Sequence, residues 1–139
     1  MIENYLKKID DLIFTADEIS DIEITRRTVW DTNLEKIGIY RYKIFFNDGS
    51  FLELTERLVE KEGIMTTTKY RFHWQNNKGV ILKRWDNAKH HPEIHTFPHH
   101  LHDGSEENVV GHEAITGIDV IKKIIKEIIG AVPPGKLLK

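Results

Sequence analysis

The chain has 139 residues, 40% of them apolar and 30% charged, which is enough for one domain with a buried core and too little for two. A formal charge of -2 excludes a globally basic nucleic-acid coat protein and leaves only local patches for phosphate. The absence of cysteine excludes a disulfide scaffold, a thiolate metal site and a thiol nucleophile, and favours a reducing interior.

At the N-terminus, apolar residues alternate with Glu3, Lys7, Lys8, Asp10 and Asp11, unlike the unbroken core of a signal peptide, and nowhere is an apolar run long enough to span a bilayer. The expectation is a cytoplasmic protein with no membrane partner. Ile2, Tyr5, Leu6, Ile9, Leu12 and Ile13 recur at helical spacing, so residues 2–14 read as an amphipathic helix. Alternation then takes over: Tyr40, Tyr42 and Ile44 oppose Arg41 and Lys43, and Tyr70, Phe72 and Trp74 oppose Lys69, Arg71, His73 and Gln75. Strands are predicted over 19–29, 36–46, 50–59, 67–75 and 80–85. Hairpin turns are expected at Asn47-Asp48-Gly49-Ser50, Glu60 to Met65 and Asn76-Asn77-Lys78-Gly79. Residues 86–113 carry Pro92, Pro98, Gly104 and Gly111 and no period, and read as one long functional loop. The last element is a helix with Thr116 as N-cap, an apolar face of Ile118, Ile121, Ile124, Ile125, Ile128 and Ile129, and a stop at Gly130 and Pro133-Pro134. The expected fold is α+β: a five-stranded, largely antiparallel sheet with N-terminal and C-terminal helices and a long His-rich loop, in a single domain over 1–139.

Six of the eight histidines lie between His90 and His102. Imidazole exchanges protons near neutrality and ligates metals, so this segment is the candidate site. Four readings stay open. The segment is a surface loop pinned by Trp85 and Phe97; or His91 with His95, or His100 and His102 with Asp103, hold a metal beside Asp86 or Glu93; or it cleaves RNA without metal; or it is a protein-binding epitope. Cleavage of RNA needs a base for the 2′-hydroxyl, an acid for the leaving oxygen and cations for the phosphate. Candidate catalytic residues are His91, His99, His100, His102 and Asp86, with Arg84 and Lys89 as phosphate clamps and Trp85 and Phe97 as stacking faces for bases. Convergence predicts that Arg84, Asp86, His90, His91, His99, His100 and His102 line one concavity. Lys69, Arg71, His73 and Lys83 read as a solvated sheet face that could extend a basic surface, and Glu106-Glu107 as solvated surface. No spacing matches an established zinc signature, so neither a metal nor another cofactor is expected as an intrinsic requirement.

The run Tyr70-Arg71-Phe72-His73-Trp74-Gln75, followed by Arg84-Trp85-Asp86-Asn87-Ala88, His90-His91-Pro92-Glu93-Ile94 and Thr96-Phe97-Pro98-His99-His100-Leu101-His102, resembles the TumE family over about residues 38 to 128. Lys89 stands where proline is usual in that family, and Leu101 where lysine is usual. The resemblance implies the toxin half of a two-gene toxin–antitoxin module, neutralised by a cognate antitoxin of helix-turn-helix DNA-binding type. It supplies no catalytic residue list. The function expected is a toxin acting on RNA or translation, with metal-independent RNA cleavage through the His-rich segment. The alternative is a non-catalytic module that binds protein or metal, and a homodimer stays open.

Overall fold

The computed structural model describes residues 1–131. The order is α1 (Ile2–Thr15), β1 (Ile19–Asp31), β2 (Lys36–Phe46), β3 (Phe51–Lys61), β4 (Ile64–Gln75), β5 (Ile81–Asp86), β6 (His100–Asp103), β7 (Val109–Gly111) and α2 (Gly117–Ala131). The strands form one antiparallel meander in which each pairs with its sequence neighbours. This is the expected α+β class, but the sheet has seven strands rather than five. The two extra strands come from the segment expected to be one long loop.

Hairpins fall where the turn residues demand them. Gly49 and Gly79 take φ of 88° and 81°, a region closed to most side chains, and Glu62-Gly63 makes the third tight turn with φ of 52° and 75°. Alternation places even-numbered residues of β2, β3 and β4 on one face, where Tyr42, Ile44, Leu52, Leu54, Phe72 and Trp74 meet the apolar stripes of both helices. Ile2, Leu6, Ile9 and Ile13 of α1 and Val120, Ile121 and Ile124 of α2 complete this core. The Thr116 hydroxyl accepts the Asp119 amide at 3.2 Å, which is the N-cap predicted for α2. The predicted stop at Pro133-Pro134 lies outside the described residues. The sheet is therefore not sandwiched between helices: both lie on one face and leave the other open.

One polar group is buried where the layers meet. Glu56 is fully enclosed on β3 and accepts hydrogen bonds from the hydroxyls of Tyr5 and Tyr40, from Thr67 Oγ1 at 3.1 Å and from the amide of Gly117 at 3.1 Å. These partners come from α1, β2, β4 and the first residue of α2. A Cβ at position 117 would collide with the Tyr40 hydroxyl and Glu56, so only glycine lets α2 begin there. Burial raises the Glu56 pKa above the ordinary carboxylate range, against the lowering effect of its donors. A raised folded pKa means that ionisation of this group opposes folding. Its contribution is complete below the unfolded carboxylate pKa and declines as pH rises through the folded value. The stability of wild type relative to Glu56→Gln, which cannot ionise, should therefore fall as pH rises from below the ordinary carboxylate range to above it. Thermal melts of both proteins across that range check it; a difference that grows with pH would contradict it.

Candidate functional site

The site is built on β5 and β6, and the strand period decides which side chains reach it. On β5, Trp85 points into the core while Arg84 and Asp86 point to the open face; on β6, Leu101 points inward while His100 and His102 point out. Asp86 pairs with His100 and Arg84 with His102 across the two strands, so the four side chains form a square. His91 joins them from the irregular stretch between the strands. Its ring centroid lies 5.0 Å from that of His100 and 5.9 Å from that of His102.

Local hydrogen bonds explain how the stretch returns over the sheet. Asn87 accepts the Tyr70 amide at 3.0 Å and donates to Thr68 O at 3.2 Å, which anchors its start. Thr96 Oγ1 donates to His99 O at 2.6 Å and accepts the His112 amide at 3.0 Å, which ties its end to the chain leaving β7.

Each imidazole of the trio has Nδ1 beside an oxygen. His102 Nδ1 donates to Glu106 O at 2.8 Å, His100 Nδ1 to Pro98 O at 2.9 Å, and His91 Nδ1 lies 3.3 Å from Glu93 Oε1. The Nε2 atoms of His100 and His102 face Asp86, and one ring nitrogen from each of the three residues lies within 4.8 Å of the others. Asp86 adds a carboxylate: Oδ1 is 3.0 Å from His100 Nε2 and Oδ2 is 3.7 Å from His102 Nε2. His100, His102 and Asp86 are only 2%, 5% and 6% exposed, whereas His91 is half-buried at the rim.

Arg84 completes the group. Its Nε contacts Asp86 Oδ2 at 3.3 Å, its Nη2 donates to His102 Nε2 at 3.2 Å, and its two terminal nitrogens grip Glu106. Burial works against the Arg84 charge, but Glu106 and Asp86 outweigh it and hold its pKa above normal; the same bond lowers that of Glu106. Desolvation lowers the pKa of His102, with the Arg84 charge acting the same way, so His102 stays neutral near pH 7.

Five of the seven residues expected to converge do so: Arg84, Asp86, His91, His100 and His102. His90 is exposed and outside the trio. His99 is also outside it, stacked on the core-face residue Tyr70 with Nδ1 2.9 Å from the tyrosine hydroxyl. His95 packs against Gly111 instead of pairing with His91. Trp85 was expected to offer a stacking face, but at 1% exposure it is a core residue. Phe97 is 40% exposed, and Lys89 is exposed. Leu101 faces the core, where a lysine would bury its charge unless it snorkelled out. Lys83 lies on the helix side of the sheet, 3.5 Å from Glu127 of α2, and so does not extend a basic surface with Arg71 and His73. Glu106, read as plain surface, is the main counter-ion of Arg84.

Of the larger feature next to this cluster, sequence reasoning named only Lys69 and Arg71. The open face holds a cavity of about 450 Å³ lined by Arg26, Arg41, Arg57, Lys69 and Arg71, with Glu53 and the enclosed Glu56 also on its wall. Register carries it to the histidines, since Arg26 pairs with Arg41, Arg41 with Thr55, Thr55 with Arg71, Arg71 with Asp86 and Asp86 with His100. The signal was present in the alternation of β2 and β3, but only the pairing register joins these residues into one row.

No curated protein and no solved structure matches the chain. A family model described as Toxin TumE matches residues 9–131, which includes every strand and every residue of the site. With that match over most of its length, the chain belongs to the Toxin TumE family and is the toxin component of a toxin–antitoxin module, with an antitoxin as its partner.

Proposed function

We propose that this toxin acts on RNA: the open sheet face receives the phosphate backbone, and the cluster of His91, His100, His102, Asp86 and Arg84 cleaves a phosphodiester at the end of that track, the RNA 2′-hydroxyl attacking phosphorus as it gives up its proton and the 5′-oxygen leaving as it takes one. The observation that carries this reading is the continuous row from Arg26 through Arg41 and Arg71 to Asp86 and His100. Its six strand positions span about 24 Å, which is several nucleotides of extended RNA. Among the described residues, none of Arg26, Arg41, Arg57, Lys69 and Arg71 has a carboxylate within ion-pairing distance, so their charge is available for phosphate. On the same face Phe45 and Phe51 lie 5.9 Å apart beneath the Lys43 ammonium, an aromatic surface on which a base can stack.

At the cluster, ring nitrogens and Asp86 supply proton transfer to and from the reacting oxygens, and Arg84 stabilises charge on the phosphate. Arg84 is paired with Glu106 and Asp86, so it meets the phosphate by exchanging its exposed partner Glu106 for it. Phe97 and Lys89 lie on the irregular stretch above and contact flanking nucleotides. His99 acts through its stack on Tyr70 and holds the end of that stretch in place. The partner is a helix-turn-helix antitoxin, and the toxin works in the cytoplasm; among the described residues no helix is long and apolar enough to cross a membrane.

Fluorescence anisotropy with a single-stranded RNA tests the track. Arg41→Ala and Arg71→Ala change exposed side chains and should leave stability within about 0.5 kcal/mol of wild type. Each should weaken binding, and each should reduce the slope of log affinity against log salt by roughly 0.7. Unchanged affinity in the double variant would remove the open face from RNA binding. If the protein neither binds nor cleaves RNA, the site is a contact surface of a non-catalytic binding protein.

A further inference from the structure

We propose that His91, His100 and His102, with Asp86, form a binding site for one divalent transition-metal ion of the zinc class. Spacing alone showed no closed ligand set, because the ligands are split between an irregular stretch and alternate positions of a strand. The fold closes that set.

Three observations carry the inference. The first is convergence: one nitrogen from each of the three imidazoles lies within 4.8 Å of the other two. Ligand nitrogens around a tetrahedral ion bound at about 2.0–2.1 Å sit roughly 3.4 Å apart, so modest side-chain movement completes the site. The second is outer-shell order. Metal-binding histidines donate the other ring N–H to a carbonyl or carboxylate, which fixes the tautomer and aims the lone pair. Here Pro98 O, Glu106 O and Glu93 Oε1 stand at 2.9, 2.8 and 3.3 Å from the three Nδ1 atoms. The third is the contact of His100 Nε2 with Asp86 Oδ1 at 3.0 Å. With Nδ1–H of His100 committed to Pro98, two electron-rich atoms approach that closely only around a positive centre, either a proton or a metal ion.

Charge and access are consistent with an ion. With neutral imidazoles, Asp86 and Glu106 outnumber the single cation Arg84, and Arg84 is drawn toward Glu106 by its two terminal nitrogens. Arg84 Nη2 lies 3.2 Å from His102 Nε2, so metal entry replaces one hydrogen bond. His91 at the half-buried rim provides the way in, and the three-nitrogen, one-oxygen set suits zinc, nickel, iron or cobalt better than magnesium or calcium. The site lies at the end of the basic row, so an ion there would face whatever that row holds.

The test uses the full chain with any affinity tag removed, since a polyhistidine tag would bind the same ions. Zinc chloride titrated by calorimetry, with elemental analysis after dialysis, should give one zinc per chain and a higher melting temperature. Cobalt should give the visible absorption of a tetrahedral ion. His91→Ala should weaken zinc by on the order of 10²-fold or more, and His102→Ala likewise. His95→Ala should bind as wild type. The buried residues could unfold on substitution, so the rim variant His91→Ala, verified by circular dichroism, decides the matter. Wild type that takes up no stoichiometric zinc, or a folded His91→Ala that binds unchanged, would overturn the site. The RNA reading fails separately: zinc uptake without RNA cleavage would refute that reading and keep this one, whereas full cleavage by zinc-free protein in chelator would leave the metal without a catalytic part.

Discussion

Expression of His100→Ala without the antitoxin is expected to leave growth close to that of cells carrying no toxin, and purified His100→Ala should cleave RNA about 10²- to 10⁴-fold more slowly than wild type. The reason is positional. His100 is the imidazole of the trio nearest Asp86, its Nε2 3.0 Å from Oδ1, and its other nitrogen is fixed by Pro98 O. Its loss removes a ring nitrogen from the centre and leaves a buried carboxylate facing a void. His102→Ala should lose a comparable factor. The double variant should be little worse than either single one, because groups that act as a unit are not additive. Circular dichroism and melting temperature must accompany each assay, since an unfolded toxin is also harmless. Undiminished growth inhibition by a folded His100→Ala, His102→Ala double variant would place the harmful contact elsewhere, first on the basic row of the open face.

Much of the architecture could be read from periodicity. Strand β2 falls on the predicted span, 36–46, because Tyr40, Tyr42 and Ile44 alternate with charged residues without interruption. The first helix ends one residue beyond its predicted limit. What failed was the edge of the sheet. Strands of 4 and 3 residues are too short for alternation to register, and in β6 the outward positions are histidines, which carry no clear polar or apolar label. The segment therefore looked like loop until pairing with β5 gave it a register. The same limit applied to the site. The sequence marked the correct neighbourhood, yet it could not separate His100 and His102, which share a strand face, from His99 one residue away on Tyr70. Nor could it exclude Trp85, since an aromatic beside charged residues reads alike as a core anchor and a stacking platform. Glu106 was missed because its role depends on a partner 22 residues distant.

The largest loss of stability is expected far from the histidines, at Glu56. Glu56→Ala should cost about 3–5 kcal/mol, the range found when one member of a buried polar cluster is removed and its partners stay behind. Two tyrosine hydroxyls, the Thr67 hydroxyl and the Gly117 amide would lose their acceptor at once. Burial, the largest cause of the raised pKa of Tyr5 and Tyr40, persists without Glu56 and keeps both hydroxyls protonated, as donors left without their acceptor. In a chain of 139 residues this cost corresponds to a melting temperature lower by roughly 10–20 °C. Glu56→Gln keeps one oxygen for the tyrosines and Gly117 and places an amide near Thr67, so it should lose much less. The contrast separates two causes: lost volume would harm alanine alone, whereas a requirement for the charge itself would harm both variants equally. Because Glu56 joins both helices to the core face while Arg84, Asp86, His100 and His102 stand on the opposite face, zinc uptake of Glu56→Gln should match wild type below its melting temperature. A Gln variant that is folded but inactive would show that the helix layer shapes the open face more closely than its one-sided packing implies.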